Sequence, residues 1–484
     1  MLGQVGLYFG ARALTAVLGL LAVAAYSRLL EPAVYGVYAL VLTSAMMTAD
    51  VLFQWIRASV VRLLPNERKT ASAVLGTAMA GFAAVGAMGL LTAAAVAAGR
   101  VLPGPPSLVL LGGTVALGLA SFEIALAVVQ ARRKAGLYLI LTICRALGSV
   151  TLGVLLVLFG LGARGPLLGL LLATSLPVLA LAVLHARTLK ASRPRAATAK
   201  LFASYGLPFL VVSVAGAVIA ALDRYMIAAL VGMDAAGVYA AAYDFTQRLL
   251  FMVMAAAFLA FSPAVFRSHE RGETALLGRR IREQVTLFLV TALPMAVVLI
   301  LAAPLVARIA FGPEFRASAE QLLPWLAVGT LLQGVQAFFA SYYFTLSRRT
   351  AANAWIVLGG AVLNIGLNLL LIPVSGAQGA AVATVLSYAA VLLASVAVGR
   401  RWVSLPWPIH DTVAASLACV ASAPLLIMAA QKTELLHALG LGAAAGGLLV
   451  LLLLAFNVGG SQRAVLRKAS SLAAIARPRS GVDP

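Results

Sequence analysis

Charged side chains inside apolar segments are the residues of this sequence whose types could support chemistry. Residues 217–248 form a mainly apolar stretch that carries Asp223, Arg224, Asp244 and Arg248. A charge at the centre of a membrane helix costs about 2.5–3.5 kcal/mol on insertion scales, so an intramembrane acid and base indicate a functional site. Asp223 and Arg224 are adjacent, whereas Asp244 and Arg248 have the i, i+4 spacing of an intrahelical ion pair. For the second pair, mutual neutralisation remains an alternative to a functional role.

Ionisable and amide side chains recur in other apolar segments. Asp50, Gln54 and Arg57 have the spacing of one helix face. Such residues are expected to face a polar cavity within a helix bundle rather than lipid. Arginines near the ends of spans can instead snorkel to the interface, and asparagines can form hydrogen bonds between helices, so both alternatives stay open. The candidates are the cations Arg12, Arg145, Arg224 and Arg248, the acids Asp50, Glu123, Asp223 and Asp244, and the polar residues Gln333, Gln336, Asn364 and Asn368.

Several kinds of site are excluded by the motifs. Gly160, Gly162 and Gly165 spell G-x-G-x-x-G, but in a short turn between apolar segments and with no acid about 20 residues later, so they predict no nucleotide site. The four histidines have no metal-ligand spacing, and no catalytic Ser/His/Asp or Cys/His set is present. Cys144 and Cys419 lie in apolar segments and are expected to be reduced thiols. We therefore predict no enzyme, no metal and no cofactor other than a possible coupling H⁺ or Na⁺.

The elements that must position these residues are membrane helices. The chain has 484 residues, of which 62% are hydrophobic and 11% charged, whereas soluble proteins carry about 25% charged residues. Apolar runs of about 18 residues or more recur from end to end, which predicts an all-α polytopic membrane protein. About fourteen spans are expected, at 5–30, 35–61, 73–98, 108–131, 137–160, 165–188, 206–231, 236–263, 285–310, 319–346, 352–373, 378–399, 409–430 and 436–457.

The basic residues predict the orientation of the chain. Alternate loops hold clusters of arginine and lysine, whereas the intervening loops hold only Arg100, Arg164, Arg308, Arg316 and Lys432. By the positive-inside rule, both termini and the basic loops, the longest of them at 189–205 and 264–284, are cytoplasmic. The net charge of +21 is explained by these loops, so no nucleic-acid partner is predicted. The extracytoplasmic connections are short, which excludes a catalytic or receptor domain on that side.

An internal repeat divides the chain. EPAVYGVYAL (31–40) is similar to MDAAGVYAAA (233–242), and GARGPLLGLLLAT (162–174) to GAQGAAVATVLSY (376–388). Because six spans separate the copies, the two halves have the same orientation and form a parallel repeat. The predicted organisation has five parts: an N-terminal lobe 1–190, a basic linker 191–205, a C-terminal lobe 206–400, two extra spans in 401–457 and a cytoplasmic tail 458–484.

The segment NIGLNLLLIPVSGAQGAAVATVLSY (364–388) resembles a recurrent signature of the multidrug/oligosaccharidyl-lipid/polysaccharide flippase superfamily. LDRYMIAALVGMDAAGVYAAAYDF, LLEPAVYGVYALV and FGPEFRASAEQLLPWLAVGTLLQG are similar to segments of its polysaccharide-transporter branch, the O-antigen and exopolysaccharide flippases of bacterial inner membranes. The resemblance covers most of residues 1–400.

The resemblance implies two six-helix lobes and alternating access in the bacterial inner membrane. It further implies an undecaprenyl-diphosphate-linked oligosaccharide as cargo and a polysaccharide polymerase or export complex as a possible partner. The cationic role in the cavity would be carried by Arg224, Arg145, Arg248 and Arg12. Asp223 and Glu123 could bind the coupling ion or could only hold the arginines in place.

Three other functions are alternatives. A multidrug antiporter on the same fold would tolerate loss of its arginines. A membrane-embedded polysaccharide polymerase or glycosyltransferase would need a large extracytoplasmic loop, which the sequence lacks. A structural scaffold would not need charges buried in both halves. A flippase for a lipid-linked saccharide is the expectation that fits best.

Overall fold

The computed structural model describes residues 2–66, 71–99, 105–184 and 192–460, and these form fifteen α-helices joined by short connections. The first seven helices are α1 (Leu2–Leu29), α2 (Pro32–Asn66), α3 (Ala71–Ala98), α4 (Pro106–Ala131), α5 (Ala135–Leu156), α6 (Arg164–Leu184) and α7 (Ala196–Leu230). The others are α8 (Met233–Glu270), α9 (Thr274–Leu301), α10 (Ala303–Ala310), α11 (Pro313–Val335), α12 (Ser341–Leu346), α13 (Thr350–Gly399), α14 (Ile409–Gln431) and α15 (Leu435–Ala455). One π-helical turn follows α5 and another separates α11 from α12.

The helices are those of a multi-pass membrane protein. Within the described residues, eleven helices are long and apolar enough to cross a membrane, and Leu14–Leu29 of α1 is a shorter apolar stretch. Every predicted span overlaps a helix, and the predicted spans 352–373 and 378–399 are the two arms of α13. The prediction of an all-α polytopic fold is confirmed.

Two non-helical turns have the same backbone conformation at equivalent places in the repeat. Gly162, between α5 and α6, has φ 49° and ψ −131°, and Gly376, at the kink of α13, has φ 58° and ψ −139°. These dihedrals suit glycine because a Cβ would be strained there. Three residues further on, a Cβ at Gly165 would collide with the backbone of Val157, and one at Gly379 with that of Leu371. The same turn and close approach therefore support the internal repeat, and they place the G-x-G-x-x-G sequence in an interhelical turn.

One predicted loop is mostly helical. The sequence predicts a loop at 264–284, yet α8 continues to Glu270 and α9 begins at Thr274. In α9, Glu283 accepts hydrogen bonds from Arg279 Nε at 2.9 Å and Arg280 Nη1 at 3.1 Å. Such i, i+4 and i, i+3 pairs stabilise a helix beyond its apolar part, which the hydrophobic pattern alone does not indicate.

The chain forms two compact units. Unit 1 consists of Met1–Arg248, Ala310–Leu322 and Ala361–Ala383, and unit 2 of Leu249–Ile309, Leu323–Gly360 and Thr384–Pro484. The core of unit 1 contains the fully buried residues Ile56, Val60, Val115 and Leu167 of α2, α4 and α6. The core of unit 2 contains Val265, Val285, Phe344 and Ala415 of α8, α9, α12 and α14. The lobes at 1–190 and 206–400 stay a prediction, and most of the tail 458–484 lies outside the described residues.

Candidate functional site

A polar cleft lies between α2 and α4 in unit 1. Asp50, Gln54 and Arg57 occupy one face of α2, as their spacing predicts, and Glu123 faces them from α4. Arg57 Nη1 lies 3.5 Å from Glu123 Oε2 and donates a hydrogen bond to Gln54 Oε1 at 3.4 Å. The cleft has an open volume of about 230 Å³. Arg57 is thus paired with an acid across the cleft, a contact that snorkelling alone does not predict.

Arg224 of α7 is buried and bridges two other helices. Its Nη1 donates to Thr43 Oγ1 of α2 at 2.8 Å, and its Nη2 donates to Asp244 Oδ1 of α8 at 2.5 Å. The guanidinium carbon lies 5.4 Å from the ring centroid of Tyr243, within the range of a cation–π contact. Asp244 therefore pairs with Arg224 of the neighbouring helix, whereas its spacing also allowed an intrahelical pair with Arg248. The tertiary partner is favoured because it leaves Arg224 with no uncompensated buried charge.

Asp223, the residue before Arg224, belongs to a second buried network. Its carboxylate accepts hydrogen bonds from Tyr239 Oη of α8 at 3.1 Å and from Asn368 Nδ2 of α13 at 2.7 Å. Asn368 Nδ2 also donates to Asn364 Oδ1 at 3.0 Å, one turn earlier on the same helix. Asn368 is fully buried, and its own Oδ1 has no hydrogen-bond partner among the described residues. The network is rich in acceptor oxygens, which is the chemistry that a small hard cation or a proton requires.

Arg145 of α5 and Arg248 of α8 lie in apolar helices of unit 1 and form no ion pair with Asp or Glu among the described side chains. Arg145 stacks on Phe122 of α4, 5.1 Å from the ring centroid, and its buried Nε has no hydrogen-bond partner in the described chain. The Arg248 guanidinium packs against Gly19 of α1, in space that a Cβ would occupy. Arg145 is acted on electrostatically by Glu123 and, more weakly, by Arg248. Within the part of the chain whose side chains are described, neither forms an ion pair with Asp or Glu.

The remaining candidates are placed separately. Gln336 begins the π-helical turn of unit 2, is buried, and donates from Nε2 to Asn353 Oδ1 at 3.4 Å. Gln333 is half-buried one turn earlier. The side chain of Arg12 lies outside the described residues. Thr43 and Tyr239 were not predicted as site residues, because neither is charged. Residue type alone does not indicate that Thr43 contacts Arg224 or that Tyr239 contacts Asp223.

The charged side chains of unit 1 differ in whether they form an ion pair, and therefore in the ligands that they could bind. Arg57 and Arg224 are neutralised by Glu123 and Asp244. Arg145 and Arg248 form no ion pair with Asp or Glu among the described side chains, and a guanidinium group in that state is a candidate ligand for an anion. Asp223 and its asparagine neighbours can bind a cation or a proton. No cluster of three or more His, Cys, Asp or Glu side chains suited to a metal ion is found in the described ranges.

Two family models match overlapping parts of the chain. Residues 2–269 match the family model described as "polysaccharide biosynthesis protein", and residues 149–449 match that of the lipid II flippase MurJ. No curated protein sequence matches significantly.

Solved structures share the fold. The lipid II flippase MurJ in an inward closed conformation has a TM-score of 0.76 at 13% identity, covering 93% of this chain and 98% of that one. An inward-facing multidrug resistance MATE family transporter has a TM-score of 0.57 at 14% identity, covering 83% and 94%. A MOP superfamily transporter from Pyrococcus furiosus has a TM-score of 0.54 at 12% identity, covering 81% and 94%. At these identities the likeness concerns the fold alone.

Proposed function

Because the chain belongs to the multidrug/oligosaccharidyl-lipid/polysaccharide flippase superfamily, we propose that it flips an undecaprenyl-diphosphate-linked oligosaccharide across the bacterial inner membrane. The observation that carries this proposal is that Arg145 and Arg248 form no ion pair with Asp or Glu among the described side chains. Transport proceeds by alternating access, and the product serves O-antigen, capsule or exopolysaccharide synthesis. A polymerase or export complex on the outer side is the proposed receiving partner.

The chemistry of the two arginines suits a diphosphate. Guanidinium groups bind phosphate oxygens through paired hydrogen bonds, and their attraction for an anion is stronger where water is excluded. Two positive charges offset the roughly two negative charges of the diphosphate. An uncompensated diphosphate moving outward would also gain about 2.3 kcal/mol per charge for each 100 mV of an inside-negative potential. The membrane potential is therefore a proposed driving force.

Asp223 is the proposed site of a coupling ion. The support is the buried acceptor Asn368 Oδ1, which has no hydrogen-bond partner among the described residues and lies beside a buried carboxylate. A Na⁺ would use these oxygens as ligands, whereas a proton would neutralise the carboxylate and weaken its hydrogen bond from Asn368. Either ion would change how α13 is held to α7.

A second candidate cargo is lipid II itself. The family model of the lipid II flippase MurJ covers more of the chain than the polysaccharide model. Because both cargoes carry a lipid-linked diphosphate, the arginine pair fits either, and the sugar distinguishes them. A multidrug antiporter for cationic drugs fits less well, because two uncompensated arginines would repel its substrate.

A flipping assay in proteoliposomes tests the proposal. Arg145→Ala and Arg248→Ala should each lower the initial rate about tenfold or more, as expected from the loss of a charged hydrogen bond. Arg164→Ala is the matched control, because Arg164 is exposed and contacts Ser107. Parental rates in both Arg145→Ala and Arg248→Ala, with insertion confirmed, would contradict the proposed role of the arginines.

A further inference from the structure

The two copies of the repeat meet at equivalent glycines of α2 and α8. A Cβ at Gly36 would collide with the carbonyl oxygen of Met233, and a Cβ at Gly237 would collide with that of Pro32. Each glycine thus packs on the residue four positions before its counterpart, so the contact is reciprocal. Small residues allow this close approach of membrane helices. The basic loops place this end of α2 and α8 on the extracytoplasmic side.

Two helical turns further on, one side chain joins the same two helices. Thr43 is the seventh residue after Gly36, and Asp244 is the seventh after Gly237, so the two are equivalent in the GVYA repeat. Arg224 of α7 donates one hydrogen bond to each of them. These three side chains are called here the Arg224 latch.

The Arg224 latch joins α2 and α8 through one buried guanidinium group. All its members are mostly buried, with Arg224 and Thr43 at 8% and 9% exposure. Only the planar, two-sided donor set of arginine matches acceptors on two helices at once, whereas an ammonium group acts as a point charge. Because Asp244 already neutralises Arg224, we expect Arg224 to attract an anionic cargo less strongly than Arg145 or Arg248.

We propose that Arg224 is a positioning residue that holds α2 against α8 and keeps the extracytoplasmic ends of these helices together. Separation of α2 from α8 then requires the hydrogen bond to Thr43 to break, while the ion pair with Asp244 remains. This role is independent of the cargo; its consequence for transport rests on the proposed function.

The latch is connected to the Asp223 network through the backbone of α7. Asp223 holds α8 through Tyr239 and α13 through Asn368. An ion that rearranges these bonds would move the adjacent Arg224. The latch therefore lies between the proposed ion site at Asp223 and the contact of α2 with α8 at Gly36 and Gly237.

Dipolar EPR distances between α2 and α8 test the latch without any cargo. Spin labels are attached to Glu31→Cys and Asp234→Cys, both exposed at the start of the two helices, after replacement of Cys144 and Cys419 by alanine. In lipid nanodiscs, the parent should give one predominant short distance. Thr43→Val should raise the ratio of a longer-distance population to the short one about tenfold, the factor expected for one hydrogen bond to a charged group. Arg224→Lys should give a similar change.

Arg164→Ala is the matched control, because Arg164 is exposed and contacts Ser107, and its distances should equal those of the parent. The double variant Arg224→Gln/Asp244→Asn removes the latch without leaving a buried charge, and should show the largest longer-distance population. Unchanged distances in Thr43→Val and in this double variant would overturn the proposal. If the distances change as expected but the parent flips no lipid-linked diphosphate, the proposed function fails and the latch stands. If the Arg224 variants keep the parental distances but lose the flipping rate, Arg224 is instead a ligand of the cargo.

Discussion

The ion pairs of unit 1 differ in how deeply they are buried. Arg224 and Asp244 form a buried ion pair with side-chain exposures of 10% and 23%, whereas Arg57 and Glu123, at 38% and 33%, face an open cleft. A buried ion pair is strongly destabilised when one partner is removed, because the other charge stays behind. An exposed pair contributes little. The two pairs should therefore behave differently on mutation.

A double-mutant cycle at Arg224 and Asp244 measures this difference. We expect Arg224→Gln and Asp244→Asn each to lower the melting temperature in detergent, and the double variant to lose less than the sum of the two. The coupling energy should be about 1–3 kcal/mol, the range for residues in one ion-pair network. The corresponding cycle with Arg57→Ala and Glu123→Gln should give a much smaller coupling. Equal couplings in the two cycles would contradict the conclusion that the Arg224–Asp244 pair is buried and the Arg57–Glu123 pair exposed.

The Asp223 network predicts an ion dependence of transport. Asp223→Asn removes the charge that a coupling cation or proton would neutralise, so the flipping rate should no longer respond to an imposed Na⁺ or pH gradient. Asp234→Asn is the control, because Asp234 is an exposed acid at the start of α8. Initial rates with and without each gradient provide the measurement. A gradient response that survives in Asp223→Asn would remove this residue from ion coupling.

At the scale of helices, the two copies of the repeat share the backbone conformation of one turn. Gly162 and Gly376 share an unusual pair of dihedrals. Gly162→Ala and Gly376→Ala should each destabilise the protein by about 1–3 kcal/mol, the usual cost of a strained backbone. Gly366→Ala, in the helical part of α13 with no heavy atom near its Cβ position, should be neutral or slightly stabilising. Thermal unfolding of the three variants distinguishes these outcomes, and equal stability of all three would argue against the shared turn.

The helices could be predicted from the sequence, but the partners of the charged residues could not. Apolar runs and glycine-marked turns are local signals, so the spans and the hairpin of α13 were visible. The spacing of Asp244 and Arg248 satisfies the rule for an intrahelical pair, yet Arg224 of α7 takes Asp244. Thr43 carries no charge and gave no signal, although its equivalence to Asp244 in the GVYA repeat could have identified it. Tertiary competition for a carboxylate depends on helix packing, which a single sequence does not encode locally.

For the whole molecule, the loop charges predict the orientation in the membrane. Arg271, between α8 and α9, is assigned to the cytoplasm, and Lys432, between α14 and α15, to the outer side. Both are exposed. A membrane-impermeant thiol reagent applied to intact cells should label Lys432→Cys but not Arg271→Cys, in a background without Cys144 and Cys419. The reverse labelling pattern would refute the orientation.

The central claim is that Arg145 and Arg248 recognise the diphosphate of the cargo. The most direct measurement compares the flipping of a lipid-linked diphosphate oligosaccharide with that of an uncharged glycolipid of the same sugar, in the parent and in Arg145→Ala/Arg248→Ala. The parent should flip the diphosphate faster, and the double variant should lose this preference while it still flips the uncharged lipid at the parental rate. A double variant that keeps the full preference for the diphosphate would contradict the account.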